Sequence, residues 1–422
     1  MAYDRFSHIS ALRPRGGEPV RTVAGAAKEE QFSRLARLLG AEERTTPFGC
    51  HLAVSRRFPD PRPCTLGPQA KRLLAPGSGP EAGDIGRWLF LDTETTGLSG
   101  GTGTYAFLVG VGWWEGDCFV VEQYFMRDHS EEASMLLDLV QRLRERPVMV
   151  TFNGKAFDWP LLETRYRMTR AAVVERPAIH LDLLHPSRQL WRLRLKSVGL
   201  AELEKQVLEL HRGPDIPSHT IPGRYFDFLR GGPEGPIVDI FRHNQMDLRG
   251  LAALAARIAG LLEEPENTGN DAGEVYGVSR MLHRHGHELL AARGYQRALG
   301  CGLPEGADRV ARRELALLAR RRGDFRCANA LWAELLGISN DGLRAYEQLA
   351  IYYEHRAREP EHALALTREA LQRLQESSPA ALEPHQHRKW DAAFRRRLAR
   401  LESRVAGRPG KFEALKDPEE IL

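Results

Sequence analysis

Three apolar segments in the middle of the chain are separated by short polar or glycine-containing turns. They read RWLFLDTET, YAFLVGVGWWEG and CFVVEQYF, and all three are rich in β-branched and aromatic residues. This pattern predicts three successive β-strands, because such side chains fit a pleated and buried surface. The short turn around Gly116 predicts that the second and third strands form a hairpin.

The pattern then changes between the period of a helix and that of a strand. Residues 130–144 carry apolar side chains at helical spacing, PVMVTFN and AIHLDLL predict buried strands, and residues 157–168 and 237–262 predict helices. Three strands followed by alternating helices and strands indicate an α/β domain with a mixed sheet flanked by helices, which we expect to span residues 86–262.

The segments on either side of this domain differ from it in composition. Residues 1–85 are rich in Pro, Gly and Arg and contain one amphipathic stretch, at about 24–43, so we expect an N-terminal extension with a single helix. Residues 263–276 are acidic and polar, which is typical of an interdomain linker.

Beyond the linker, residues 277–410 predict helices throughout. A turn followed by an Ala-containing helix start recurs around Ala298, Ala328 and Ala363, at spacings of 30 and 35 residues. These spacings are close to the roughly 34 residues of tetratricopeptide repeats. We expect an all-α, tetratricopeptide-like repeat domain; an ordinary helical bundle is the alternative.

The composition adds limits on location and redox chemistry. The 422 residues are 42% hydrophobic and 27% charged, which is typical of a protein with several globular domains. No apolar run approaches the roughly 20 residues of a membrane span, and the first residues lack the pattern of a signal peptide. We therefore expect a cytoplasmic protein without membrane association. Five scattered cysteines without a CxxC pair argue against a disulfide framework or a zinc ribbon.

The charge is nearly balanced but uneven in type and position. The chain has 52 Arg and 8 Lys, with a net charge of +4. Contact with phosphate groups and a codon bias explain the excess of Arg equally well. Between residues 277 and 411, 25 Lys and Arg stand against 16 Asp and Glu. This excess favours nucleic acid as a partner; a protein bound by the helical repeats is the alternative.

Two acids in the first strand are the first candidate site. Asp92 and Glu94 are two residues apart, so both carboxylates point to the same face of the strand. They directly follow the apolar residues 89–91, which indicates a central strand. Two acids on one face of a buried strand are costly unless a cation compensates them, and a solvated strand end is the alternative.

Two further segments carry candidate residues. Asp158 falls at a helix start after a buried strand, where a helix N-cap is an equally ordinary role for Asp. His243 and Asp247 are four residues apart on the last predicted helix, so they share a face, and a surface pair is the alternative there.

The combination is more specific than any single motif. Clusters of carboxylate oxygens suit Mg²⁺ or Mn²⁺. Two such ions about 4 Å apart stabilise the attacking and leaving oxygens of a phosphodiester displacement, and a nearby His accepts the proton of the attacking water. Asp92, Glu94, Asp158 and Asp247 are therefore the candidate ligands of two metal ions, with His243 as the proton acceptor.

Residues 88–262 resemble the ribonuclease H-like DEDD superfamily of 3′–5′ exonucleases, and most of all its YprB-type subgroup. The motifs that carry the resemblance are DTETTGLSGGTGTYAFLVG, FNGKAFDWPLL, IHLDLLHPSRQLW and DIFRHNQMDLRGL. The resemblance implies phosphodiester hydrolysis with two metal ions, which the four acids would bind. Helical repeats of the tetratricopeptide type often follow the nuclease domain in this subgroup.

The chain departs from the superfamily pattern at one position. The superfamily uses either Tyr in a Y-x3-D motif or His in an H-x4-D motif to handle the proton. Here His243 stands at the Tyr spacing and Arg242 at the His spacing. The alternative to His243 is that the metal ions activate the water without a side-chain base.

Three residues near the acids are candidate substrate contacts: Thr95, Asn153 and Lys155. A structural turn is the alternative role for Asn153. His180 and Asp182 lie on the strand predicted for AIHLDLL, and we expect a structural pair there.

The function expected from the sequence is a metal-dependent nuclease, of the 3′–5′ exonuclease type. The alternative is a non-catalytic nucleic-acid-binding or scaffold protein that works through its helical repeats. The presence of all four acids favours the enzyme.

Overall fold

The computed structural model of the protein describes residues 23–59, 66–97, 103–170, 176–337, 339–377 and 382–406. The chain divides into two compact units. One comprises residues up to Arg188 together with Leu195–Glu263, and the other comprises Gln189–Arg194 and the chain from Glu264 on.

The first unit is a seven-stranded mixed sheet flanked by helices. Its helices are α1 (Val23–Leu39), α2 (Pro68–Leu74), α3 (Glu132–Glu145), α4 (Asp158–Thr169), α5 (Leu184–Trp191, whose last residues belong to the second unit), α6 (Leu200–Gln206), α7 (Ile221–Leu229) and α8 (Gly235–Glu263). Its strands are β1 (Glu42–Thr46), β2 (Gly49–Phe58), β3 (Trp88–Thr95), β4 (Ala106–Glu115), β5 (Cys118–Phe125), β6 (Val148–Thr151) and β7 (Ile179–Asp182).

The strand order places β3 in the interior of the sheet. The order is β1-β2-β5-β4-β3-β6-β7, with β6 parallel to β3 and β7 parallel to β6, and the other pairs antiparallel. The strands predicted in residues 86–262 are all present. The α/β class with a mixed sheet is therefore confirmed, and β6, the strand before Asp158, lies beside β3, the strand of Asp92.

The N-terminal region corrects one expectation. We expected residues 1–85 to be an extension with a single helix, but β1 and β2 belong to the same sheet as the acids, because β2 pairs with β5. The two strands are joined by a tight turn at Pro47 and Phe48, with Gly49 at a φ of 115°. All five residues of β1 are polar, and none is buried. Its sequence therefore lacks the alternation of apolar and polar residues by which a strand is predicted.

A buried ion cluster attaches β1 to the rest of the sheet. Glu122 of β5 is only 2% exposed. It accepts hydrogen bonds from Arg44 of β1, from Arg142 of α3 at 2.8 Å and from the Tyr124 hydroxyl at 2.6 Å. Arg44 also contacts Asp138 of α3 at 3.4 Å. The N-terminal strands are thus part of the folded unit and not a separate extension.

The second unit contains helices and no strands among the residues that the structure describes. Its helices are α9 (Ala272–Arg284), α10 (Glu288–Gly300), α11 (Glu305–Arg321), α12 (Phe325–Leu335), α13 (Asn340–Tyr352), α14 (Pro360–Glu376) and α15 (Pro384–Ala406), with a π-helical turn at Tyr353–Ala357. The expectation of an all-α region after the sheet domain is confirmed. Helix α9 begins within residues 263–276, which we expected to be a linker.

The helices form successive hairpins whose first members begin at Ala272, Glu305 and Asn340. This spacing agrees with a repeat of about 34 residues. The alignment of the first repeat differs from our expectation: Ala298 lies near the end of α10 and not at a helix start. The residue that corresponds to Ala328 and Ala363 is Ala291, because all three occupy the fourth position of their helices and are buried.

None of the described helices combines the length and the apolar composition that crossing a bilayer requires.

We predict that Arg44→Ala lowers the free energy of unfolding of the first unit by about 2 kcal/mol, because it leaves the buried Glu122 with fewer donors. Arg57→Ala is the matched control, since Arg57 and its partner Glu115 are both exposed. The control should change the free energy by less than about 0.5 kcal/mol. Urea denaturation followed by circular dichroism measures both. Equal effects of the two variants would show that β1 is not held by this cluster.

Candidate metal centre

Strand β3 presents the first two acids. Its residues from Trp88 to Leu91 are fully buried, which fixes the strand in the middle of the sheet. Asp92 and Glu94 follow at its carboxyl end and point to one face, because side chains alternate along a strand. Glu94 is 9% exposed, and Asp92 is partly exposed.

A row of residues across three strands supports Asp92. Asp92 lies opposite Gly110 of β4, which lies opposite Gln123 of β5. Asn244 of α8 donates a hydrogen bond from Nδ2 to Asp92 Oδ2 at 2.8 Å, and its Oδ1 accepts one from Gln123 Nε2 at 2.8 Å. A Cβ on Gly110 would lie 2.0 Å from Asn244 Oδ1. The glycine therefore allows α8 to lie directly over the acids.

Helix α8 brings the remaining candidates to β3. His243 is 6% exposed, so it is not part of a surface pair. One potential ligand atom from each of Glu94, His243 and Asp247 lies within 4.8 Å of the other two. His243 Nε2 is 3.3 Å from Asp247 Oδ2. The sequence prediction that these residues converge is thus consistent with their positions.

Asp158 reaches the site from the other side of β3. It is the first residue of α4, while Phe157 occupies the N-cap position. The Asp158 carboxylate accepts a hydrogen bond from Thr93 Oγ1 at 2.5 Å. Thr93 stands between Asp92 and Glu94 in sequence, so the side chain of Asp158 points back to the strand and not along its own helix.

The turn before Asp158 is shaped by Asp182 of β7. The Asp182 carboxylate accepts backbone hydrogen bonds from Asn153 at 2.8 Å and from Lys155 at 3.1 Å. Asn153 has a φ of 69°, and a Cβ on Gly154 would lie 2.5 Å from Thr151 Cβ. These features fix the path of the chain from β6 to α4.

The three candidate substrate contacts have different surroundings. Thr95 donates its hydroxyl to the carbonyl of Gly97 at 2.9 Å. Asn153 is held through its amide in the turn, and the Lys155 side chain is exposed beside it.

His180 has a structural environment. It lies 2.8 Å from the Thr151 hydroxyl through Nε2, and burial together with the charge of Lys155 lowers the pKa of His180 to about 4.

The charges of three of the four acids are uncompensated. Among the residues that the structure describes, no Lys or Arg forms an ion pair with Asp92, Glu94 or Asp158. Burial, and after it the neighbouring carboxylates, raises the pKa of Asp92 and of Glu94 well above the ordinary range. Burial also raises the pKa of Asp158. Clustered carboxylate oxygens are the ligands that hard divalent cations prefer, so these residues fit Mg²⁺ or Mn²⁺.

Sequence reasoning missed a second group of residues beside Asp247. Arg212 pairs with Asp247, with Glu204 of α6 at 2.7 Å and with Asp215 at 3.0 Å. Asp215 also contacts His243 Nδ1 at 2.7 Å. Arg212 and Asp215 lie in a Pro- and Gly-rich loop, where no periodicity indicates which side chains turn inward. The only signal was an Arg and an Asp three residues apart in that loop.

The comparisons with known proteins agree with this architecture. The family model described as "RNase_H superfamily" matches residues 89–259, which contain all the candidate ligands. The fold and the acids thus define a nuclease-type domain of a class that typically uses divalent metal ions. A Bacillus subtilis (strain 168) protein, "Uncharacterized protein YprB", is 30% identical over 285 residues, which are 67% of this chain and 68% of that protein. The chain belongs to the RNase H superfamily and, within it, to the YprB family.

We predict that the contribution of Asp92 and Glu94 to the stability of the metal-free protein falls as the pH rises from about 4 towards neutrality. The raised pKa values of these two groups mean that they bind more protons in the folded state than in the unfolded state in this range. Their contribution to the free energy of unfolding therefore falls with increasing pH. Asp92→Asn removes one of these groups while keeping an acceptor for Asn244.

The variant should be more stable than the wild type in EDTA at pH 7, and this difference in stability should grow between pH 4 and pH 8. Thermal melting between pH 4 and pH 8 measures both. Asp227→Asn is the control, because Asp227 is exposed and pairs only with the exposed Arg230 among the described residues. Mn²⁺ should stabilise the wild type and not Asp92→Asn. A difference between Asp92→Asn and the wild type that does not grow with pH in EDTA would contradict the prediction.

Proposed function

We propose that the protein is a metal-dependent nuclease that hydrolyses phosphodiester bonds of nucleic acid, of the 3′–5′ exonuclease type. One observation carries the proposal: Asp92, Glu94 and Asp158 share a partly buried edge of the sheet without a basic partner among the described residues. A protein with this fold and an unneutralised acidic cluster needs a cation to balance the cluster. Membership of the RNase H superfamily supports nucleic acid as the substrate.

Four acids would hold two Mg²⁺ or Mn²⁺ ions: Asp92, Glu94, Asp158 and Asp247. When bound, such ions neutralise the charge that develops on a phosphodiester under attack and lower the pKa of water. Asn244 and Thr93 fix the orientation of Asp92 and Asp158 through the hydrogen bonds at 2.8 and 2.5 Å. The ligands are therefore held in place before a cation arrives, which reduces the cost of binding it.

His243 is the proposed proton acceptor. Its Nε2 faces Asp247 and thus the acids, and its other ring nitrogen is occupied by Asp215. A general base must lie within hydrogen-bond reach of the proton that it accepts. His243 meets this requirement for a water beside the candidate ligands, because it is adjacent to them. His243, which occupies the position of Tyr in the Y-x3-D motif, lies beside Glu94 and Asp247.

Substrate contacts are proposed for Thr95, Asn153 and Lys155. The exposed ammonium group of Lys155 suits a phosphate of the nucleic-acid strand. Thr95 follows directly after the acids on β3, at the end where the substrate must approach.

The helical unit is proposed to bind a protein partner and not to supply the main contact with nucleic acid. Most arginines of the basic run in α15, which comprises Arg395–Arg397, Arg400 and Arg404, are already ion-paired. Arg397, Arg400 and Arg404 pair with the buried Glu354, and Arg395 pairs with Asp391. Guanidinium groups held in this way are less available to phosphates than free ones.

The test is cleavage of 3′- and 5′-labelled single- and double-stranded DNA and RNA, with Mg²⁺, Mn²⁺ or EDTA. We expect metal-dependent release of nucleotides from the 3′ end. Asp92→Ala should reduce the rate by about 10³-fold or more, because a metal contributes several kcal/mol to the transition state. Asp227→Ala should leave the rate unchanged.

Two outcomes would overturn parts of the proposal. The proposal of a metal-dependent nuclease would be excluded if the wild type cleaved none of the substrates with metal present. Full activity of Asp92→Ala would exclude it as well. Internal fragments in place of a ladder from the 3′ end would replace the exonuclease by an endonuclease.

A further inference from the structure

Asp215 is fixed by several donors at once, although its side chain is 21% exposed. Its Oδ1 accepts a hydrogen bond from the backbone N–H of Ile216 at 2.8 Å and lies 2.7 Å from His243 Nδ1. Its Oδ2 accepts one from Arg212 Nη1 at 3.0 Å. A carboxylate held on both oxygens has one orientation, and that orientation faces His243.

The ionised form of Asp215 determines which nitrogen of His243 carries the proton. The guanidinium group of Arg212 and the backbone N–H of Ile216 both donate hydrogen bonds to Asp215, which favours its ionised form. An ionised carboxylate only accepts hydrogen bonds, and each ring nitrogen of His243 faces one: Nδ1 lies 2.7 Å from Asp215 Oδ1, and Nε2 lies 3.3 Å from Asp247 Oδ2. The first distance is within hydrogen-bond range and the second is beyond it, so the single proton of the neutral ring is on Nδ1. In the neutral ring, Nε2 then has a free lone pair.

The Nε2 atom is the one that faces the acids. It lies 3.3 Å from Asp247 Oδ2 and 3.4 Å from Ser218 Oγ. A water close to the candidate ligands can therefore meet the lone pair of Nε2. If the tautomer were reversed, Nε2 would carry a hydrogen and the ring could not accept a proton there.

Arg212 anchors Asp215 to the body of the first unit. The guanidinium group is held by Glu204 of α6, which is 2% exposed. Glu204 can lie against α8 because Gly250 has no side chain: a Cβ there would lie 1.7 Å from Glu204 Oε1. The same guanidinium pairs with Asp247. The guanidinium group of Arg212 thus sets the positions of both Asp215 and Asp247, and Asp247 is a candidate metal ligand.

We propose that Asp215, anchored by Arg212, is a positioning residue that fixes His243 in the tautomer with the proton on Nδ1, so that Nε2 accepts a proton from the attacking water. The inference rests on the proposed function for its consequence in catalysis. The orientation itself can be measured without substrate or metal.

The first experiment determines the tautomer of His243 in the metal-free full chain by NMR of ¹⁵N-labelled histidine, at a pH where the ring is neutral. The His243 signals are assigned from their absence in His243→Gln. We expect a protonated Nδ1 and an unprotonated Nε2 in the wild type. In Asp215→Asn the side-chain amide can donate to Nδ1, so the ratio of tautomers should shift towards the form protonated on Nε2.

The second experiment measures the rate of cleavage. Asp215→Asn should lower kcat by about 10²–10⁴-fold, the range of a lost general base, with KM and the affinity for Mn²⁺ nearly unchanged. Asp227→Asn is the control for both experiments, because Asp227 is an exposed acid in the same unit. Asp215→Ala is the second variant if Asp215→Asn does not fold, and it should give a mixture of tautomers.

The outcomes separate this inference from the proposed function. An unchanged tautomer of His243 in the Asp215 variants, or an unchanged kcat, overturns the positioning role. A wild type without nuclease activity overturns the proposed function, while the tautomer still decides whether Asp215 orients the ring. A shifted tautomer with a reduced kcat and unchanged Mn²⁺ affinity supports both.

Discussion

The burial of neighbouring carboxylates at the carboxyl end of β3 is the constraint on which the site depends. Asp92 and Glu94 lie on one face of a central strand, and Asp158 is joined to the same strand through Thr93. Burial, and after it the neighbouring carboxylates, raises the pKa of Asp92 and of Glu94, and burial raises the pKa of Asp158. These shifts express the free energy that is needed to keep the acids charged. The fold holds the acids in this arrangement, and a divalent cation is the partner that would lower this cost.

Close approach of a helix to the sheet makes the arrangement possible. Helix α8 lies over β3 and β4 at Gly110, where a larger residue would collide with Asn244. Asn244 then orients Asp92, while the neighbouring His243 and Asp247 enter the site from the same helix. On the other side of the site, Arg212 balances Asp247 and supports Asp215. Asp247 thus has a basic partner, whereas Asp92, Glu94 and Asp158 have none among the described residues.

The sequence predicted the parts of the fold that have a strong period or a buried strand. The strands around Asp92 and the long helix with His243 and Asp247 were found because their apolar residues alternate or recur at helical spacing. Strands β1 and β2 were missed, since β1 is a polar edge strand held by Arg44 and its buried partner Glu122. No local pattern shows a contact between residues so far apart in sequence.

The candidate ligands were predicted from chemistry and order along the chain, whereas their supporting residues were not. Arg212 and Asp215 act through contacts with residues more than 25 positions away, in a loop without periodicity. Gly110 looked like any glycine in a strand until its position under α8 was known. The role of a loop residue in holding a ligand, and the role of a glycine in making room for a helix, can be recognised only from the three-dimensional structure.

The most direct test of the central claim is calorimetric titration of the full chain with Mn²⁺ at neutral pH. The four acids, three of which lack a basic partner among the described residues, should bind two ions, and the double variant Asp92→Asn, Glu94→Gln should bind none at the same concentrations. Failure of the wild type to bind Mn²⁺ or Mg²⁺, or equal binding by the double variant, would contradict the account.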